Sequence, residues 1–411
     1  MTSIVRQDPD WAARKFASLT LLTVAIVAAM SAWFATTASL AAIRQHWVLT
    51  PFYEALLTSS VQAGFVIGTL TSALLSLPDR FDLQNLFCAS ALIACIANLL
   101  ILLCEPTSIA VPLLRLVTGM CMAGIYPVGM KLASTWAKGD LGLLMGLLVG
   151  ALTLGSSLPH ALAGLGGVDW RIPIAGAAAG TLLAAMLIRF VAIGAPLAAA
   201  PPLQPRNALQ AFRNRPLLLA NLGYFGHMWE LYAMWAWIGP FLAASFAARY
   251  ADTPPLDPRY AAFAVVAAGA IGCLGGGWSA DRWGRTLVTI VSMAISGSCA
   301  VLIGFSYGGP AAITLAVALV WGITVISDSA QFSASVSELS DRSLTGTMLT
   351  VQMCVGFLIT LLSIHLIPYA FDTMGWRWAF ATLAIGPALG VVAMSRLRAR
   401  SEAQKLAGGK R

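Results

Sequence analysis

Apolar stretches of twenty or more residues recur along almost the whole chain, and nothing else in the sequence restricts its folding so strongly. A run of about 20 apolar residues can cross roughly 30 Å of hydrocarbon as an α-helix. In lipid only helices and closed barrels satisfy all their backbone groups internally. Twelve candidate spans are read, at approximately 16–40, 55–77, 85–104, 110–135, 141–163, 172–194, 217–243, 261–280, 286–307, 311–337, 345–369 and 377–396. The runs are continuous rather than alternating over about ten residues, which argues against a membrane β-barrel. Of the 411 residues, 58% are hydrophobic and only 10% are charged, whereas a soluble domain carries roughly 25% charged residues. Too few charges remain to cover a large water-facing domain.

The charges test the span count. The net charge of +8 comes from 25 Lys and Arg against 17 Asp and Glu. Such an excess is expected on cytoplasmic loops and does not call for nucleic acid. With the N-terminus inside, Arg44, Arg171, Arg249, Arg259 and Arg377 fall outside and Arg115 lies within the membrane, while the other nineteen of the 25 basic residues collect on the cytoplasmic side. The expected protein is therefore a multi-pass integral protein of the plasma (bacterial inner) membrane with both termini cytoplasmic. Arg6, Arg14 and Lys15 precede an uncharged run of 25 residues, longer than a signal peptide's apolar core and read as a retained first span. The seven cysteines all lie inside apolar runs without metal-ligand spacing, so neither a disulfide framework nor a metal site is expected.

A segment from Gly194 to Pro216, with prolines at 196, 201, 202, 205 and 216, interrupts the chain near its midpoint. It reads as a linker. The dipeptide Asp79-Arg80 after span 2 recurs as Asp281-Arg282 after span 8, and Trp170-Arg171 before span 6 recurs as Trp376-Arg377 before span 12. Both recur at nearly the same offset and in matching topological places, which indicates a duplication. The fold class is thus an all-α membrane protein of 12 transmembrane helices in two pseudo-symmetric six-helix halves, divided as 1–194, a linker at 195–216, and 217–411 with a basic cytoplasmic tail.

The sharpest motif is the spacing Gly277, Asp281, Arg282, Gly284, Arg285 in the loop after span 8. It resembles the loop signature G-x-x-x-D-R-x-G-R of the major facilitator superfamily. The resemblance implies a conformational gate in which a carboxylate at a helix end exchanges partners between two states. Gly277 is expected to permit close helix approach and Gly284 a tight turn. The first-half copy is degraded: Leu75 replaces the leading glycine and Asp82 and Leu83 follow Phe81, so only Asp79 and Arg80 carry over. On span 4, Arg115 followed by Gly119 is similar to a pattern in proton-coupled members of the superfamily. The resemblance further implies that spans 1, 4, 7 and 10 line a central cavity.

Arg115, Glu230 and Asp328 fall on spans 4, 7 and 10, where an ionisable group needs a partner, a proton or a wet cavity. Arg115 is expected either to face the cavity, coupled to a carboxylate, or to snorkel to the nearer surface. Glu230, the most central of the ionisable groups, is the leading proton or cation site, with Asp328 next. His227 stands one turn before Glu230 on the same face, and Trp229 and Tyr232 belong to an aromatic wall for a flat or cationic solute. His160 and His365 read as structural. Gly142, Gly146, Gly150 and Gly155 on span 5 favour close packing.

No G-x-x-x-x-G-K-[ST] motif occurs, so ATP is not the direct energy source. The expected function is secondary transport of a small organic solute by alternating access, coupled to protons, in the sense of efflux or exchange of a neutral or cationic compound. The protein is expected to be a monomer without cofactor, metal or nucleic-acid partner, and not an enzyme. The alternatives are an uptake symporter of the same fold, an integral-membrane enzyme, or a non-transporting receptor.

Overall fold

The computed structural model describes residues 10–138, 140–167, 169–195, 203–251 and 253–410. Arg6, Arg411 and the linker prolines Pro196, Pro201 and Pro202 lie outside them. Among the described residues twelve helices are long and apolar enough to cross a membrane. Spans 1 to 6 are Trp11–Ile43, Pro51–Leu75, Leu83–Ile101, Ala110–Ser134, Gly142–Gly166 and Arg171–Phe190. Spans 7 to 12 are Arg215–Tyr250, Pro258–Trp283, Arg285–Phe305, Ala311–Leu339, Thr345–Met374 and Trp376–Arg398.

Local signals start several of them. Thr50 accepts a bond from the Tyr53 amide and Pro51 opens span 2; Asp82 does the same for Asn85 at span 3. A proline in the first turn removes a donor that had no helical acceptor, so it starts a helix where it would break one further in. This physics shortens the expected linker. Arg215 and Pro216, assigned to it from sequence, form the first turn of span 7, which runs for 36 residues.

The two halves repeat each other in packing. Span 2 lies along span 4 as span 8 lies along span 10, span 3 along span 6 as span 9 along span 12, and span 1 along spans 5 and 6 as span 7 along spans 11 and 12. Span 2 meets span 11 and span 5 meets span 8 across the interface between halves. The outer spans turn apolar side chains such as Leu92, Ile96, Leu99, Ile295 and Leu302 outward, as a lipid-facing surface requires.

Glycine sets the closest approaches, and it does so twice. A Cβ on Gly64 would fall 2.0 Å from the Leu116 carbonyl oxygen, and one on Gly119 would fall 2.0 Å from that of Val61. In the second half the counterparts are Gly272 against the Ile323 oxygen and Gly322 against the Val265 oxygen, each at 2.0 Å. Backbones this close leave no room for any side chain. The loop glycine expected to allow such an approach does not: a Cβ on Gly277 meets nothing within 4 Å, whereas one on Gly276 lies 1.9 Å from the Ser327 oxygen. One residue is a rotation of about 100° on a helix, so the neighbour faces span 10 and Gly277 faces away. Gly284 does make the turn into span 9, with φ +93°.

Gly276→Ala is therefore expected to destabilise the fold by about 3 kcal/mol or more through a backbone clash, and Gly277→Ala by no more than about 0.5 kcal/mol. Melting and gel filtration of the two purified variants in detergent separate these outcomes.

Candidate functional site

Arg115 is fully buried on span 4, so it does not snorkel. Its Nη2 donates to the carbonyl oxygens of Ala32 and Trp33, both at 2.6 Å, and its Nη1 to Asn98 Oδ1 at 3.1 Å. Those carbonyls belong to a break in span 1, whose helical pieces are Trp11–Met30 and Ala35–Ile43. No proline or glycine stands in residues 31–34. The guanidinium supplies the donors that a continuous helix would have supplied from its own amides, and so holds the break open. The expected carboxylate partner is corrected accordingly: among the described residues Arg115 ties span 4 to spans 1 and 3 through neutral acceptors.

In the second half the same three kinds of span are joined by different chemistry. Glu230 of span 7 accepts from Trp321 Nε1 of span 10 at 2.7 Å and from Ser296 Oγ of span 9 at 2.8 Å. It is 1% exposed. These partners turn it into the second half rather than toward the interface between halves. His227, one turn earlier, reaches Asp328 instead, with Nδ1 and Oδ1 2.9 Å apart. The two atoms are within ion-pair distance but lack the alignment of a hydrogen bond, and Oδ1 of Asp328 and Nε2 of His227 have no such partner. Asp328 stands at a break in span 10, between Ala311–Ser327 and Ser329–Leu339, within electrostatic reach of Glu230 and of Cys273 on span 8.

Between the halves the centre is filled by rings. Trp33 and Phe34, carried by the break in span 1, meet Tyr232 at 5.7 and 6.3 Å, and Phe34 meets Trp235 at 6.0 Å. Phe65 of span 2 and Phe357 of span 11 complete the cluster at 4.5 Å from each other. Tyr232 thus lies where an aromatic wall was expected. Trp229 does not: its Nε1 donates to the Thr382 oxygen at 3.2 Å and its Cβ would meet a side chain on Gly386, so it packs on span 12. Trp33, Gln62, Ser296 and Trp321 are positions of this candidate site that the sequence alone does not mark, because none carries a charge that hydrocarbon would penalise. An uncharged glutamine or indole in an apolar run carries the same signal more weakly.

Contacts across the halves occur on both faces. On the face opposite the termini, Arg259 Nη1 donates to Ala163 O at 3.0 Å and also to Gly167 O, and its side chain holds the Asp257 carboxyl below the usual range. His365 Nε2 and Ser59 Oγ are 3.0 Å apart across spans 11 and 2. On the face with the termini, Asp281 is exposed, and a Cβ on Gly142 of span 5 would lie 3.9 Å from its Oδ2. Arg285 pairs with Glu338 at 2.6 Å and donates to Gln331 at 2.8 Å, both on span 10. Arg282 lies over the Trp278 ring at 5.5 Å. In the first half Asp79 pairs with Lys131 of span 4, while Arg80 is exposed. Each loop is thus fastened to the span two places further on. Nearby, Lys15 and the Lys138 amide hold the Asp140 carboxyl below its usual range, which ties the start of span 1 to that of span 5.

The family model of the Major Facilitator Superfamily matches residues 21–364. The chain belongs to that superfamily. A solved structure of similar fold is the nucleoside transporter NupG, in the form of an aspartate-to-alanine mutant, with a TM-score of 0.71 over 93% of this chain and 99% of that one at 14% identity. No curated protein matches the chain significantly. At that identity the likeness shows the fold alone. The protein is a superfamily transporter of twelve spans, and the three intramembrane charges sit on spans 4, 7 and 10 of that fold.

Within this superfamily scaffold the role of Arg115 is testable by geometry. Lysine keeps the charge but cannot serve two carbonyls and Asn98 from one planar fork. Arg115→Ala is expected to cost about 3 kcal/mol of stability, since acceptors buried with the guanidinium lose charge-assisted bonds, and Arg115→Lys is expected to recover less than half of it. Melting curves in detergent check both, and a wild-type melting temperature for Arg115→Ala would exclude the strut.

Proposed function

We propose that the chain is a proton-coupled transporter exporting or exchanging a small organic solute across a bacterial inner membrane, with both termini cytoplasmic. The observation that carries the coupling is the His227–Asp328 contact at 2.9 Å, with both side chains 1% exposed. An imidazole and a carboxyl so enclosed are a unit whose proton content alters its charge, and charge inside a membrane protein is stabilised only by a nearby partner or by water. The pair lies at the break of span 10, where opening either face changes access to both groups. A shift in protonation then biases one conformation over the other, which is the linkage a coupled carrier needs.

Glu230, the leading candidate from sequence, takes a different part in this proposal. Its two neutral donors hold spans 7, 9 and 10 together, and it supports the pair without being the exchanging site. The solute itself is proposed to bind between the halves at the ring cluster. The name of the fold neighbour, a nucleoside transporter, agrees with an uncharged, ring-bearing solute.

Reconstituted into proteoliposomes, Asp328→Asn is expected to lose gradient-driven accumulation by about tenfold or more, in the range of ordinary coupling free energies, while solute counterflow persists. Glu230→Gln keeps an acceptor for Trp321 and a partner for Ser296, and is expected to leave gradient-driven transport largely intact. Full pH-driven accumulation by a well-folded Asp328→Asn protein would rule the pair out as the coupling site.

A further inference from the structure

Gln62 lies in the middle of span 2, is 0% exposed, and neither its Oε1 nor its Nε2 has a hydrogen-bond partner in the protein. Each unmade bond of a buried amide costs about 1–3 kcal/mol, so a leucine of similar size would serve packing better. The direction of the side chain follows from its helix neighbours. Thr58, one turn earlier, touches Thr37 of span 1 at 2.6 Å, and Ser59 touches His365 of span 11 at 3.0 Å. Phe65, three residues later, packs on Trp33 at 5.3 Å and on Phe357 at 4.5 Å. Gln62 therefore faces spans 1 and 11, on the side of span 2 that carries the ring cluster.

The cluster contains two further polar atoms of the same kind. Trp33 Nε1 and Trp235 Nε1 have no partner, and both residues are 1% exposed. Other indoles of this chain do bond: Trp136 to Ala192 O, Trp229 to Thr382 O, Trp237 to Ile364 O and Trp321 to Glu230. These three unpaired side chains lie where the two halves meet. That is the place a carrier must present to its cargo from either side.

We propose that Gln62, Trp33 and Trp235 form the solute-recognition centre, and that the solute is an uncharged planar ring with an amide-type edge: a nucleobase or a molecule that carries one. The assignment rests on the transporter reading above and deepens it. A carboxamide sets a donor beside an acceptor, the complement of such an edge, and pairs with it through two parallel bonds. An indole N–H only donates, so the two tryptophans ask for carbonyl or ring-nitrogen acceptors on the same molecule. Phe65, Tyr232 and Phe357, which close on one another here, would present faces for a flat solute to stack on once the halves part. The three intramembrane charges are already engaged, Arg115 with span 1, Glu230 with Trp321 and Ser296, and Asp328 with His227. A permanently charged solute stacked on the rings would have to draw Arg115 or Glu230 away from these hydrogen bonds or bury its own charge at high cost.

Calorimetric titration of the purified full chain in detergent tests this with uracil, adenine and uridine, and with tetraphenylphosphonium and succinate as charged controls. At least one of the three ring probes is expected to bind the wild type and neither control to compete. Gln62→Leu should weaken that binding about tenfold or more, the worth of a bidentate pair, while its ligand-free melting temperature stays level or rises because an unpaired amide has been removed. Trp235→Phe keeps the ring and deletes the N–H, so it should weaken binding as well; it decides alone if Gln62→Leu does not fold. The assignment is overturned if no ring probe binds the wild type, or if the variants bind with wild-type affinity. Ring-probe binding that needs Gln62, together with proteoliposome transport of that probe that ignores a pH gradient, would leave this centre standing and refute the coupling. Gradient-driven transport of tetraphenylphosphonium without ring-probe binding would do the reverse.

Discussion

A guanidinium enclosed in a membrane-spanning bundle has to find acceptors, and Arg115 finds them in the backbone of another span. Insertion of such a side chain costs at least about 2.5 to 3.5 kcal/mol before any partner is counted. The carbonyls it takes belong to residues 32 and 33, and a straight helix would have kept those oxygens for its own amides. Because span 1 breaks there, Trp33 and Phe34 project into the centre instead of lying along a helix face, and the ring cluster between the halves is built on them. The arrangement of the centre thus follows from how one buried charge is satisfied.

The second half solves the same mechanical problem without a cation. Trp321 on span 10 binds Glu230 on span 7, which also binds Ser296 on span 9, while Arg115 on span 4 binds spans 1 and 3. Corresponding spans are joined in both halves, and corresponding glycine contacts draw span 2 to span 4 and span 8 to span 10. Duplication has preserved the packing, which tolerates little change where backbones touch, and has let the polar chemistry diverge. The asymmetry leaves a cationic strut in one half and two carboxyl groups in the other.

Between the halves, contacts are made at three levels: Arg259 and His365 toward one face, the rings at the centre, and Asp281 beside Gly142 at the other. Span 5 offers Gly142, Gly146 and Gly150 to span 8 at ordinary van der Waals separations, where a Cβ on each would lie 3.8 to 4.0 Å from its neighbour. The glycine contacts inside each half are far tighter. Where spans 5 and 8 come closer, at Gly164 against the Tyr260 ring (2.7 Å from a Cβ) and Gly269 against Thr153 Cγ2 (2.9 Å), the neighbour is a side chain that can move and not backbone. Such an interface between two rigidly packed bodies is suited to rocking of one half against the other.

The sequence by itself determined the twelve spans, since hydrocarbon accepts little other than helices and each span declares itself by composition. It also determined the duplication, the superfamily signature and which ionisable residues are intramembrane. Tertiary structure decided what those residues touch. Helix rotation chose Gly276 over Gly277 for the contact with span 10, turned Trp229 to span 12 and Glu230 into its own half, and gave Asp328 to His227. Arg115 paired with a backbone that no local pattern marks as broken, and Gln62 became conspicuous only when its neighbours were known to leave it unpaired. Crossing a membrane is a property of twenty consecutive residues and can be read locally; a hydrogen-bond partner is a property of two distant spans and of the angle at which each presents its face.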